Sequence, residues 1–239
     1  LWMAQYSGLG LWAYDPESGP RNAALLPGAY NRPQSVTWDE RNRLVVVSAL
    51  ADAAGGSCLG IHDPAAGTAT AVELPLGAGQ SVPVVFAHDG VVYLGGGDGG
   101  AESPAGEVAA YDARLRTLLW RLDTGHGARV TSLTVAGRYL YVALFDGGFR
   151  VIDLAKRRIV HSAEIAFTRK TWSLVRSRNR VLAATPAEVL RIEAKTFAFT
   201  QIVSGLSGAW YGGGMDLATD ERGRLYTMKD RNLVQIEVA

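Results

Sequence analysis

The chain has 239 residues, of which 48% are hydrophobic and 20% are charged, and its formal net charge is +1. This composition is that of a globular protein with a large core, and the near-zero net charge argues against binding nucleic acid or a membrane through overall charge. The single cysteine, Cys58, excludes an internal disulfide. No apolar run approaches the roughly 18 residues that a membrane-spanning helix needs.

One pattern recurs in chain order: alternating apolar residues that end in an acidic residue, followed by a small turn. The acidic residues that end its copies lie 40 to 49 residues apart and are Asp15, Asp63, Asp112, Asp153, Glu193 and Glu237. A repeat of this length, with strand alternation and almost no helical spacing, is typical of the four-stranded blades of a β-propeller. We therefore predict an all-β fold, a β-propeller of about six visible blades forming a single domain over residues 1–239.

Each blade is predicted to hold four strands, A to D from the centre outward. The predicted blades cover approximately 1–26 (partial), 35–74, 84–122, 130–164, 172–203 and 215–239 (partial). The chain begins in a B strand and stops after a C strand, so both end blades are incomplete. Either a larger propeller, such as a seven-bladed ring, is represented without its closing strands, or a six-bladed ring has three-stranded end blades. We favour the first alternative, because exposed strand edges invite unwanted pairing.

The recurring acidic residue is predicted to have a structural role. Asp accepts backbone hydrogen bonds in tight turns, which suits the hairpin between strands C and D. The sequence contains no GxSxG or HExxH motif and no paired-carboxylate motif, and its one cysteine and four histidines show no metal-ligand spacing. We predict no catalytic residue and no metal site.

Two segments resemble repeats of known propeller families. Leu11–Gly19, LWAYDPESG, resembles the repeat of bacterial two-component-regulator propellers, which implies the extracytoplasmic sensor part of a signalling protein. Val108–Gly125, VAAYDARLRTLLWRLDTG, resembles the repeat of quinoprotein-like (PQQ-like) propellers, whose tryptophan packs between neighbouring blades. The quinone-binding branch of that family carries docking tryptophans in most blades, whereas here only Trp120 stands at that site. We therefore predict no cofactor.

Loop type sorts the residues by face. In a propeller the B–C and D–A loops gather at the channel mouth, where ligands and partners usually bind. The aromatic and charged residues predicted there are Tyr30, Arg32, His126, Arg129, Arg169, Lys170, Trp210 and Tyr211. Such a mixture suits a polar ligand or a peptide, although ordinary solvated loops show the same mixture.

The opposite face is predicted to be basic, because 15 of the 24 lysine and arginine residues fall in A–B or C–D turns. The densest part contains Arg138, Arg157, Arg158, Arg176, Arg178 and Arg180. Guanidinium groups form bidentate contacts with acidic protein or phosphate groups. The alternative is that these charges only keep the turns soluble and protect strand edges.

Together these features predict a non-enzymatic recognition, sensing or scaffold module that binds a protein or a small polar ligand, within a larger chain or assembly. We expect no nucleic-acid partner. The alternative is a propeller enzyme, a quinoprotein-like oxidoreductase or a lyase or hydrolase, with its site at the channel mouth around His126, Arg129, Arg169 and Trp210. Convergent carboxylates or metal-binding histidines at the mouth would favour the enzyme.

Overall fold

The structure, a computed structural model, describes residues 1–6, 10–26, 30–51, 56–73, 75–77, 80–97, 106–165, 172–185, 187–206, 217–229 and 232–237. These residues form 22 β-strands in six antiparallel sheets and one 3₁₀ turn, Phe145–Gly147. Four sheets have four strands, and the first and last have three. The predicted all-β, six-bladed propeller class is confirmed. Within the described residues, no helix is long and apolar enough to span a membrane.

The chain divides into two compact units, Leu1–Arg129 and Val130–Ala239, called here the N-terminal and C-terminal units. The N-terminal unit contains sheet 1, with β1 Trp2–Ala4, β2 Gly10–Asp15 and β3 Gly19–Leu25. Sheet 2 contains β4 Arg32–Asp39, β5 Leu44–Leu50, β6 Ser57–Asp63 and β7 Thr68–Glu73. Sheet 3 contains β8 Val84–His88, β9 Val91–Gly95, β10 Glu107–Asp112 and β11 Thr117–Asp123.

The C-terminal unit contains the remaining three sheets. Sheet 4 contains β12 Val130–Ala136, β13 Tyr139–Leu144, β14 Gly148–Asp153 and β15 Arg158–Glu164. Sheet 5 contains β16 Ser173–Ser177, β17 Arg180–Ala184, β18 Val189–Ile192 and β19 Phe199–Val203. Sheet 6 contains β20 Ala218–Thr219, β21 Leu225–Lys229 and β22 Asn232–Ile236. Strands follow in sequence order in every sheet, so each A–B and C–D turn lies at the same end of its sheet.

Burial explains the strand patterns. The central strands are continuous apolar runs, such as β5 with its sequence LVVVSAL, because both of their faces are covered. The outermost strands alternate instead, and β15 is exposed at every second residue. The central runs therefore pack adjacent sheets together, while the D strands face solvent on one side.

Hydroxyl groups on the first strand of one sheet bind the backbone of the next. Ser35 Oγ accepts the Val85 N–H at 3.2 Å, and it connects sheets 2 and 3. Ser132 Oγ accepts the Leu174 N–H at 2.8 Å and connects sheets 4 and 5 in the same way. These bonds help to fix neighbouring sheets within each unit, and with them the turns at the sheet ends.

The acidic residue that ends strand C shapes the C–D hairpin, as predicted. Asp15 Oδ1 accepts the N–H groups of Glu17 and Ser18 at 2.9 and 3.1 Å. Asp63, Asp112 and Asp153 each accept one or two backbone N–H groups at the matching turn positions. Glu193 differs, because its carboxylate accepts hydrogen bonds from the side chains of Arg191 and Thr200.

The fourth residue after this acidic position has a positive φ in five hairpins. The angle is +78° at Gly19 and +66° at Gly67, and glycine adopts this region without a steric penalty. It is +56° at Arg116, +51° at Arg157 and +59° at Phe197. In those three hairpins a side chain therefore occupies a backbone position that favours glycine.

Candidate functional site

Four of the eight residues predicted at the channel mouth lie in described parts of the chain. Arg32 is not in a loop: it is the first residue of β4 and pairs with Leu50, because ladder pairing continues past a bulge between Pro33 and Ser35. Tyr30 is half-buried, and burial together with the nearby Glu73 carboxylate raises the pKa of its phenol.

His126 and Arg129 follow β11, and the His126 Nδ1 accepts the Ala128 N–H at 3.1 Å within its own loop. Arg169, Lys170, Trp210 and Tyr211 lie outside the described residues. The grouping of these eight residues into one site stays a prediction.

The six arginines predicted on the basic face all belong to the C-terminal unit. Arg138 lies in the A–B turn of sheet 4, Arg157 in its C–D turn, and Arg158 begins β15. Arg176, Arg178 and Arg180 lie in or beside the A–B turn of sheet 5. Strands β12 and β16 pack side by side, so the turns of these two sheets are neighbours.

A cleft of about 350 Å³ lies between these turns. Its lining residues are Ala136, Gly137, Arg138, Tyr139, Tyr141, Arg176, Asn179, Val181 and Ala194. Tyr141 and Val181 are buried and form an apolar floor with Tyr139, whereas Arg138, Arg176 and Asn179 are exposed at the rim.

Arg138 is held in place from two sides. Its Nη2 donates to Asp153 Oδ2, and its guanidinium carbon lies 5.3 Å from the centre of the Tyr139 ring. Burial opposes ionisation of Asp153, but the hydrogen bonds from Arg138 and from two turn amides outweigh it and lower the pKa of this carboxyl. The hydrogen bond to Asp153 also raises the pKa of Arg138. The pair is therefore an internal ion pair that orients Arg138 at the rim.

Four of the other five basic-face arginines divide into two kinds by their contacts. Arg178 Nη2 donates to the Arg222 carbonyl at 2.7 Å, and its side chain covers Gly223, so it connects the turns of sheets 5 and 6. Arg176 donates from Nε to the Arg178 carbonyl at 2.7 Å, and its Nη groups have no partner among the described residues. The exposed side chains of Arg157 and Arg158 likewise have no hydrogen bond or ion pair in the described part of the chain.

The sequence did not reveal that Arg178 connects two turns or that Phe197 packs against the tyrosines of the cleft. The Phe197 ring lies edge-on to Tyr139 and Tyr141, with ring centres 5.3 and 6.1 Å apart. Only the break in the glycine pattern at this turn position signalled it. Phe197 supports the two tyrosines that form the cleft floor.

The N-terminal unit has a smaller cleft, of about 150 Å³, at the same end of sheets 2 and 3. It is lined by Leu44, Ile61, Asp63, Thr68, Thr70, Ala113, Arg114 and Arg116. Two arginines near it bind internal partners: Arg41 pairs with Asp89 at 3.2 Å, and Arg114 Nη2 donates to the Asn42 carbonyl at 2.9 Å. Arg116, which lines this cleft, is exposed and makes no hydrogen bond or ion pair with described residues.

No protein-family model matches the chain, and a search of curated proteins finds no match. The two repeat resemblances therefore stay predictions. Trp120, the residue that suggested the second of them, has its ring 6.1 Å from Tyr93 of its own sheet. In the parts of the chain that the structure covers, no group of three His, Cys, Asp or Glu residues could hold a metal ion. Support for a function therefore comes from the geometry of the turns and not from similarity to known proteins.

Proposed function

We propose that this propeller is a recognition module that binds an acidic protein partner through the turns of sheets 4 and 5. The propeller fold supports a generic binding or scaffold role. The resemblance of Leu11–Gly19 to sensor propellers agrees with such a role in a signalling protein. The finer assignment rests on the arginines of these turns, above all on Arg157.

Arg157 is central to the proposal because its backbone conformation is unfavourable and no described hydrogen bond or ion pair of its side chain offsets the cost. Its φ is +51°, at the position where Gly19 and Gly67 stand in sheets 1 and 2. A side chain in this region costs roughly 1 kcal/mol. Phe197 offsets that cost by packing its ring in the core, whereas the Arg157 side chain makes no hydrogen bond or ion pair with described residues.

Arg116 in the N-terminal unit has a similar φ of +56° and also makes no hydrogen bond or ion pair with described residues, so strain alone does not single out Arg157. What distinguishes Arg157 is the unpaired charge of Arg158 and Arg176 at the same end of sheets 4 and 5, and strain beside such a cluster points to a contact outside the chain.

The surroundings of Arg157 leave a positive surface. The carboxylate of the same turn, Asp153, is neutralised by Arg138, and Glu193 of the next sheet pairs with Arg191 at 2.7 Å. Arg158 and the Nη groups of Arg176 add unpaired guanidinium charge at the same end of the sheets. Exposed guanidinium groups without an internal partner are suited to bidentate contacts with the carboxylates of another protein.

The test uses a fluorescein-labelled peptide of twenty glutamates as a defined acidic probe, with binding followed by fluorescence anisotropy. Arg157→Gln, Arg158→Gln and Arg176→Gln in one variant should weaken binding about tenfold at low salt, because three unpaired charges are lost. The matched control is Arg21→Gln, Arg43→Gln and Arg116→Gln, which removes the same charge from strand β3 and two turns of the N-terminal unit. Equal weakening in both variants would reduce the effect to overall charge and contradict the proposal.

A further inference from the structure

The cleft between sheets 4 and 5 has the construction of a specificity pocket, and this inference rests on the proposed function. We propose that it takes an aromatic side chain of the acidic partner together with a carboxylate next to that ring. Three properties of the cleft support this assignment: its volume, its rigid apolar floor and its oriented cationic rim.

The volume fits one large side chain and its polar neighbour. At about 350 Å³ the cleft lies at the lower end of the range of roughly 300 to 1,000 Å³ found for ligand pockets. Its walls come from three hairpins, through Tyr139 of sheet 4 and through Asn179 and Ala194 of sheet 5. A pocket built from hairpins of two sheets is fixed by the packing of those sheets.

The floor is apolar and preformed. Tyr139 and the buried Tyr141 line the cleft, and the Phe197 ring packs edge-on against both. Phe197 is 9% exposed and keeps a φ of +59°, so a strained backbone position serves to place this ring. Tyrosine rings favour contact with another aromatic ring over contact with a small aliphatic group, beyond what the buried area alone gives.

The rim offers one guanidinium group, that of Arg176, which is already oriented by a hydrogen bond. Arg138 is held by Asp153 and stacks on Tyr139, so its own charge is largely used within the chain. Arg176 is held only through Nε, which leaves both of its Nη groups to receive a carboxylate. Because the side chain is fixed before binding, little conformational entropy is lost when the carboxylate arrives. The ligand class is therefore an aromatic group with an adjacent carboxylate.

The probes are three blocked peptides, Ac-Glu-Phe-Glu-NH₂, Ac-Gln-Phe-Gln-NH₂ and Ac-Glu-Ala-Glu-NH₂, titrated into the whole chain and followed by NMR shifts of the Tyr139 and Asn179 amides. The first peptide should bind about tenfold more tightly than either of the others. An aromatic group with a carboxylate could come from a protein segment or from a free small molecule, and free phenylacetate distinguishes the two. If phenylacetate binds more weakly than the first peptide, the cleft is assigned to a partner segment. Equal binding would assign it to a small aryl carboxylate instead.

Two variants test the location. Ala194→Trp, at an exposed turn residue of the lining, should fill the cleft and abolish binding of the first peptide, whereas Ala155→Trp, in the matching turn of sheet 4 outside the cleft, should not. Arg176→Gln should weaken the first peptide about tenfold and leave the Gln peptide unchanged. Unchanged binding by both Ala194→Trp and Arg176→Gln would overturn the cleft proposal, even if the glutamate peptide still required the three arginines. Loss of that requirement would instead overturn the proposed function.

Discussion

The junction of sheets 2 and 3 and the junction of sheets 4 and 5 share one construction and differ in what fills it. The first is packed with aliphatic side chains such as Leu59, Leu94 and Val92. The second is packed with rings, including Phe149, Trp172 and Phe197. The same strand order therefore tolerates two kinds of core, and the aromatic one reaches out to the turn end, where its tyrosines become the floor of a cleft.

Arginine use differs between the two junctions in parallel with the cores. Arg41 and Arg114 of the N-terminal unit bind groups of neighbouring turns, and the cleft there is about 150 Å³. In the C-terminal unit Arg157, Arg158 and the Nη groups of Arg176 lack partners among the described residues, and Arg176 lines a cleft of about 350 Å³. Turn arginines of a repeat can thus bind neighbouring turns in one unit and keep unpaired guanidinium groups, which could bind a partner, in the other.

The largest expected effect tests the contrast between the cores. Trp172 is 1% exposed and its Nε1 donates to the Leu144 carbonyl at 2.8 Å. Trp172→Ala should lower the free energy of unfolding by about 4 kcal/mol, since it leaves a cavity and removes this hydrogen bond. Leu94→Ala at the aliphatic junction should cost about 3 kcal/mol. Urea denaturation followed by circular dichroism measures both, and a smaller cost for Trp172 than for Leu94 would contradict the central role assigned to the rings.

A sharper test replaces Phe197 or Arg157, which occupy the same turn position in two hairpins, with glycine. The expected changes in the free energy of unfolding have opposite signs. Phe197→Gly should destabilise the chain by about 3 kcal/mol, because the lost ring packing exceeds the relieved backbone strain. Arg157→Gly should stabilise it by about 0.5 kcal/mol, since the relief of strain exceeds the added entropy of the unfolded chain.

Binding of the glutamate peptide should weaken in the same Arg157→Gly variant, even though the variant is more stable. Denaturant midpoints and anisotropy titrations on one preparation measure the two effects together. If Arg157→Gly proved destabilising, the side chain would have an internal contact and the strain argument would fail.

Much of the fold could be predicted from the sequence because its determinants are local. The acidic residue that ends strand C, as at Asp63, forms its turn with residues two and three positions onward. Strand alternation and blade spacing are also local patterns. The exact strand limits were less predictable, since Arg32 is added to β4 by pairing across a bulge.

Less of the candidate site could be predicted, because its contacts join residues far apart in sequence. The pairing of Arg178 with the Arg222 carbonyl depends on how sheets 5 and 6 pack, which no local pattern encodes. The sequence indicated which arginines lie at the turn end of the sheets. It could not separate the paired arginines from the unpaired ones, and it is this distinction that supports the proposed function.

The smallest expected effect concerns pH and again contrasts the two junctions. The folded pKa of Asp153 is lowered from its ordinary value of 3.8, so its stabilising effect is complete above that value and is lost as the pH falls through the lowered pKa. Asp153→Asn and Arg138→Gln should therefore each reduce the loss of stability below about pH 4. Arg114→Gln should leave the slope unchanged, because Arg114 binds the neutral Asn42 carbonyl at 2.9 Å. Urea midpoints between pH 2 and pH 6 measure these slopes, and parallel curves for wild type and Asp153→Asn would show that the ion pair does not stabilise the turn.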